Sequence, residues 1–121
     1  MTKILLVDDE ADTRIAYADL LASEGYEVTT ASSGPEATAQ TGRSRPDLVL
    51  LDVMMPGQSG IDVAREWSER QETKDIPIVL ITALSAQEEL KAVPGVRRII
   101  YKPCRPRTLL EGVDHVLRYG R

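Results

Sequence analysis

The chain has 121 residues, 42% hydrophobic and 28% charged, and its 15 basic and 19 acidic side chains give a formal charge of -4. At this length one domain is expected, burying roughly two-thirds of the unfolded chain's surface, and the composition excludes disordered and fibrous classes. The single cysteine, Cys104, allows neither an intramolecular disulfide nor a metal site of its own, and an aromatic content of 4% with no Phe argues against a stacking platform for single-stranded nucleic acid.

Met1-Thr2-Lys3 leads into an apolar segment with no signal-peptide layout, and no apolar run approaches the roughly 18 residues of a membrane span. A cytoplasmic protein without membrane insertion is expected. Ile4 to Val7 reads as the first strand and ends in Asp8-Asp9-Glu10. A helix follows, with Thr13, Tyr17, Leu20 and Leu21 on one face and Gly25 closing its end. Glu27 to Ala31 is the second strand; Ser33 and Pro35 open the second helix, and Gly42 is expected to close it in a left-handed conformation. Asp47 to Leu51 is the third strand, followed by Asp52. Gly60 opens the third helix, in which Trp67 lies at core spacing from Ala64 and Gly60. Ile78 to Ile81 is the fourth strand, followed by Thr82; Ser85 opens a fourth helix, which Gly95 closes. The fifth strand, Arg98 to Tyr101, ends in Lys102-Pro103. Pro106 then stands at the first position of a last helix, whose apolar face is Leu109, Leu110, Val113, Val116 and Leu117. His115 lies off that face and reads as solvated.

Five strand–helix pairs joined by right-handed crossovers make an open α/β sandwich, and the almost purely aliphatic third and fourth strands are those of a parallel sheet covered on both faces. In such a sheet the ligand site lies beyond the carboxyl ends of the strands. Four of the five strand ends carry polar residues there. Each alone reads as a helix cap or a surface charge; their gathering at one edge does not. If the first and third strands are neighbours, about 4.8 Å apart, Asp8, Asp9 and Asp52 converge. Two such charges at 4 Å repel by roughly 4 kcal/mol at an effective dielectric near 20. A hard divalent cation with Lys102 would balance three carboxylates, and magnesium keeps coordination positions for phosphate oxygens. Such a site resembles a phosphoryl-transfer centre in which a carboxylate attacks in line to form an aspartyl phosphate. Met54 and Met55 read as a loop and pocket wall, because magnesium disfavours sulfur.

Asp8-Asp9, Leu51-Asp52-Val53-Met54-Met55-Pro56-Gly57, Thr82-Ala83 and Lys102-Pro103 together resemble the signature of response-regulator receiver domains of two-component signalling, over essentially the whole chain, 1–121. The resemblance implies a (βα)5 flavodoxin-like fold with a five-stranded parallel sheet of order 2-1-3-4-5. It also implies that Asp52 accepts a phosphoryl group from a histidine kinase or histidine phosphotransfer protein. Asp9, Asp52 and the Met54 carbonyl would bind magnesium directly and Asp8 through water; Thr82 would bond to the phosphoryl group, Lys102 would pair with it, and Lys102-Pro103 would be cis. Two positions depart from the pattern: Ile99 and Cys104 stand where receivers commonly carry aromatics. The Thr82 to Lys102 interval is also about two residues short, with Val93-Pro94-Gly95 replacing the usual helical ending, so a shortened or shifted fourth helix is expected.

Three rival readings share parts of this pattern. A flavin-binding flavodoxin needs a hydroxyl- and glycine-rich phosphate loop where Asp8-Asp9-Glu10 would repel phosphate. A dehalogenase-like magnesium phosphohydrolase needs Asp-x-Asp, but Glu10 stands at the second position and the length leaves no room for a cap domain. A phosphorylation-independent pseudo-receiver is weakened because every expected site residue is present. Charge is unevenly spread: residues 1–90 carry 7 basic and 17 acidic side chains, residues 91–121 carry 8 and 2. The basic C-terminal face, with Arg97, Arg98, Arg105 and Arg107, would favour an acidic protein partner or self-association over direct nucleic-acid binding.

Overall fold

The computed structural model describes residues 1–83 and 87–121. Its strands are β1 (Lys3–Val7), β2 (Glu27–Ala31), β3 (Leu48–Asp52), β4 (Ile78–Thr82) and β5 (Val96–Tyr101). They form one parallel sheet of order β2-β1-β3-β4-β5. The helices are α1 (Ala11–Ser23), α2 (Gly34–Arg43), α3 (Gly60–Ser68), α4 (Gln87–Lys91) and α5 (Pro106–Tyr119). This is the five-fold βα sandwich that the sequence predicts.

Every residue of β3 and β4 is buried, as continuous aliphatic strands at the centre of a two-sided sheet must be. Alternate side chains feed two cores. Leu5, Val7, Val49, Leu51, Ile78 and Leu80 pack with Ala37 of α2, Val63, Ala64 and Trp67 of α3 and Leu90 of α4. On the opposite face Ile4, Leu6, Leu48, Leu50, Val79 and Ile81 pack with Leu21 of α1 and Leu109, Val113 and Val116 of α5. Leu20 and Tyr17 of α1 and Leu110 and Leu117 of α5 pack against this second core from its edge. Trp67 is buried as expected and donates its indole N–H to Thr38 Oγ1 at 2.9 Å, tying α3 to α2. His115 is exposed, as expected.

Several boundaries differ from the sequence reading. Gly42 does not close α2; it lies inside the helix, which runs to Arg43 and is capped by Ser44, whose N–H reaches Gln40 O at 3.0 Å. Pro46 disfavours helical backbone at the residue before it, so the chain leaves the helix without a left-handed residue. Gly25 and Gly95 do take positive φ, 90° and 81°, and Gly120 at 78° closes α5. The third strand starts at Leu48; Asp47 instead accepts the Lys3 N–H on its carboxylate at 2.7 Å. The fifth strand begins two residues early, at Val96, because the β4–β5 ladder carries an irregularity: Ile78 pairs with Val96 and Val79 with Arg98. Arg97 is the extra residue. Ser85 lies outside the described residues. α4 is described from Gln87 to Lys91 and the chain turns at Val93-Pro94-Gly95; the expected shortening of this helix reaches into residues outside those described. Among the described residues no helix is long and apolar enough to cross a membrane.

Trp67→Ala should cost about 3–5 kcal/mol, the loss expected when a fully buried large aromatic is truncated. Urea denaturation followed by far-ultraviolet circular dichroism measures it, since Trp67 is the chain's one tryptophan.

Candidate functional site

The sheet register decides which side chains meet. β1 and β3 pair from Ile4↔Leu48 to Val7↔Leu51, so the next residues, Asp8 and Asp52, come side by side at the carboxyl edge. Asp8 is wholly buried and Asp52 is 5% exposed, whereas Asp9 is exposed at the rim. One carboxylate oxygen from each of the three lies within 4.8 Å of the other two. From the far side Lys102 reaches in: its Nζ stands 3.2 Å from Asp8 Oδ2 and 3.5 Å from Asp52 Oδ2. Its own backbone N–H continues the ladder to Thr82 O at 2.7 Å, and the Lys102–Pro103 peptide is cis. Thr82 is fully buried at the end of β4, opposite Tyr101 in the register.

Smaller bonds orient the carboxylates. Asp8 Oδ1 accepts the Glu10 N–H at 2.9 Å, and Asp52 Oδ1 accepts the Met54 N–H at 3.3 Å. Behind Asp52 the start of α3 comes very close. A Cβ on Gly60 would lie 2.3 Å from the Asp52 carbonyl oxygen, and the Gly60 N–H bonds to Val53 O at 2.9 Å. Only glycine permits that approach. Ser59 and Asp62 close a reciprocal capping box that fixes the helix start. Met54 is exposed and Met55 mostly buried, and both line a shallow apolar groove of about 440 Å³ with Val53, Pro56, Ser59 and Ile61, the wall the sequence suggested.

Burial, then the neighbouring Asp8 carboxylate, push the Asp52 carboxyl up to about 6, and Lys102 only partly opposes them. Burial alone would favour deprotonating Lys102, but Asp52 and Asp8 together hold its pKa above the ordinary lysine value. One ammonium therefore does not neutralise the site. The donor set suits a hard divalent cation: among the described residues the cluster is three carboxylates, with no cysteine or histidine in it.

Asp8, Asp9, Asp52, Thr82 and Lys102, all singled out from the sequence, come together at this edge. Arg14 was not singled out. It sits one turn into α1 and donates from Nη1 to the Asp8 carbonyl at 2.8 Å. Its only sequence signal is a cation in the first turn after an acidic run, a common pattern on a helix surface.

Residues 4–114 match the family model of the response regulator receiver domain. The chain belongs to that family. It is 37% identical over 124 residues to the sensory transduction protein RegX3 of Mycolicibacterium smegmatis, covering 99% of this chain and 52% of RegX3. It is 51% identical over 86 residues to the response regulator PleD of Caulobacter vibrioides, covering 70% of this chain and 19% of PleD. The chain thus spans about half the length of RegX3 and a fifth of PleD. Among solved structures, the chemotaxis protein CheY4 of Vibrio cholerae superposes with a TM-score of 0.89 at 34% identity, over 96% of this chain and 98% of that one. Receiver domains of this family accept phosphoryl groups from histidine kinases or phosphotransfer proteins, typically with Mg2+, and are not enzymes in the ordinary sense.

The raised Asp52 pKa has a measurable consequence in the metal-free protein. Between its ordinary value of 3.8 and about 6 the native state binds more protons than the unfolded state, so stability falls as pH rises through that window. At about 1.4 kcal/mol per unit the loss from this group is at most about 3 kcal/mol. Asp52→Asn should escape it: in chelator, urea denaturation should show the variant more stable than wild type at pH 7.5, with the gap narrowing as pH falls toward 4.5.

Proposed function

We propose that this chain is the phosphoacceptor receiver module, over residues 1–121, of a two-component phosphorelay, and that Asp52 takes the phosphoryl group. The observation that carries this reading is the convergence of Asp8, Asp9 and Asp52 within 4.8 Å around a single lysine. Three carboxylates and one ammonium leave an excess of negative charge that a divalent metal relieves. Asp9, Asp52 and the Met54 carbonyl would hold magnesium directly, with Asp8 acting through water. When bound, the ion neutralises phosphoryl oxygens as charge redistributes in transfer.

The chain's own residues supply the rest. An Asp52 carboxylate oxygen attacks the phosphorus of a phosphohistidine in line; the new O–P bond forms as the N–P bond breaks, and the imidazole leaves with the electron pair and takes a proton from solvent. Asp52 must be ionised to attack; with its pKa raised to about 6 it is mostly charged at neutral pH, and a nearby cation would keep it charged into the mildly acidic range. Lys102 pairs with the transferred group, exchanging part of its bond to Asp52 for one to a phosphoryl oxygen. Thr82, at the neighbouring strand end, donates its hydroxyl to another. Water attack at phosphorus forms a new O–P bond, breaks the Asp52 O–P bond, and releases inorganic phosphate with the free carboxylate restored.

The donor is a histidine kinase or histidine phosphotransfer protein, and the reading implies a cytoplasmic location. The phosphorylated state alters partner binding. Arg97 and Arg98 are exposed on β5, and Arg105 and Arg107 at the start of α5, a basic face that would receive an acidic protein partner or a second copy of the chain. Ile99 is half-buried against the core beneath α3 and α4 and, being β-branched, has no ring to trade between inward and outward positions. Tyr101, in register with Thr82, is the aromatic that could sense it, though it also reads as an amphipathic residue at the sheet edge.

Incubation with acetyl phosphate and magnesium should add one phosphoryl group by intact mass. Asp52→Asn and excess chelator should each abolish the addition, and Lys102→Ala should weaken it while leaving the fold intact. Undiminished labelling of Asp52→Asn would sink the assignment.

The acyl phosphate should also be long-lived, persisting for many minutes after the donor is removed. Met54, 56% exposed beside the acceptor, cannot orient an attacking water. Leu84, the other residue expected to flank the water's route, lies outside the described residues. Met54→Asn should shorten the lifetime, measured by loss of the added mass over time; a wild-type half-life of seconds would contradict this.

A further inference from the structure

The polar groups of Asp8 are held from four directions. Its N–H bonds to Ala31 O at 3.1 Å, extending the β1–β2 ladder by one residue. Its Oδ1 accepts the Glu10 N–H at 2.9 Å, and its Oδ2 faces Lys102 Nζ at 3.2 Å. The fourth group, the main-chain carbonyl, accepts Arg14 Nη1 at 2.8 Å. Three of these partners are fixed by sheet, turn or site. Arg14 is the exception: a long side chain brought back from α1 to the strand end. The carbonyl it grips belongs to the peptide joining Asp8 to Asp9, so the bond sets the tilt of the unit carrying both acidic residues.

We propose that Arg14 is a positioning residue for the cation site: by gripping the Asp8 carbonyl it holds the Asp8–Asp9 peptide in the orientation that presents both carboxylates toward Asp52. This rests on the magnesium reading above and adds to it a residue that touches neither metal nor phosphoryl group. The backbone of Arg14 is itself anchored, its N–H donating to Glu10 O at 2.9 Å in the first turn of α1. The same cation lies near α2. Glu36, whose carboxyl is held below the usual range first by hydrogen bonds from Ser32, feels Arg14 as a further favourable charge.

Two effects of Arg14 have opposite signs, which makes the proposal decidable. As a nearby cation it repels a divalent ion, so by electrostatics alone its removal should tighten magnesium binding. As a brace its removal should loosen the acidic pair and weaken binding, and groups that orient metal ligands from outside the coordination sphere typically contribute about ten-fold or more to metal affinity. The brace should win, because a bond of 2.8 Å fixes geometry directly while the charge acts across a partly solvated rim.

The test compares wild type, Arg14→Met and Arg14→Lys by amide-shift titration with magnesium chloride, beside hydrogen exchange of the Glu10 amide in chelator. The expected result for Arg14→Met is about ten-fold weaker magnesium binding, with faster Glu10 exchange and an unchanged spectrum for the β3 and β4 amides. Arg14→Lys, which keeps charge and stem, should fall between and serves if Arg14→Met does not fold. Unchanged or tighter binding, or unchanged Glu10 exchange, would overturn the proposal. A wild type that binds no magnesium would instead overturn the cation reading, and Glu10 exchange alone would then decide whether Arg14 braces the turn.

Discussion

The crowding of negative charge at one edge of the sheet is the constraint on which the rest depends. Asp8 and Asp52 are buried side by side, Asp9 stands at the rim, and one lysine faces them. Left in water these carboxylates would separate. They stay together because β1 and β3, each buried on both faces, pair in a register that admits no slip: a shift of one residue would exchange the residues of the two cores, which alternate along every central strand. Hydrophobic burial of the central strands therefore sustains a polar arrangement that electrostatics alone would disperse. The strain emerges in Asp52, whose carboxyl rises to about 6.

The fold and most of the site were legible because both rest on local patterns. Val49-Leu50-Leu51 and Ile78-Val79-Leu80 can only be buried strands, and the polar residues that end them are fixed at the carboxyl edge once the sheet is parallel. Asp8, Asp9, Asp52, Thr82 and Lys102 followed from that edge and from the motif they spell. What escaped depends on contacts between elements. Gly42 looked like a helix end, yet α2 continues because Pro46, not glycine, forces the exit. The start of β5 was misplaced because a ladder irregularity is a relation between two strands and leaves no mark on Arg97-Arg98 alone. Arg14 escaped for the same reason, since its partner is a main-chain carbonyl, which every residue possesses.

The departures from the family pattern stand close to Lys102 in the chain but on opposite faces of the sheet. Cys104 packs on the core beneath α1 and α5, with its Sγ 3.7 Å from the Tyr17 hydroxyl. A thiol thus occupies a position where a ring would fill more space, and Tyr17 leans toward it; burial, then the bond to Cys104, pushes the Tyr17 phenol well above its ordinary value. Ile99 lies on the other face, against the core beneath α3 and α4. Both flank Lys102, one along β5 before it and one after it. The acidic edge keeps every residue of the family signature, while Ile99 on β5 and Cys104 just after it depart from the aromatics that receivers commonly carry there.

Any signal leaving the site must therefore pass through what remains. Thr82 and Lys102 are joined main chain to main chain at 2.7 Å, so movement of the one is imposed on the other. β4 cannot yield, being buried along its whole length between β3 and β5. β5 is less confined: it is an edge strand with Arg97 and Arg98 exposed, carries Arg97 as the extra residue of its ladder, and is preceded by the Val93-Pro94-Gly95 turn. On the proposed reading, a displacement at Lys102 would meet least resistance along β5 and its arginines. On the phosphoacceptor reading proposed above, a partner would sense phosphorylation only through a difference in affinity between the two states, and the exposed arginines of the β5 edge are the surface proposed to carry that difference. The rigid centre and the yielding edge then divide the work: one preserves the geometry that chemistry needs, the other makes its completion visible.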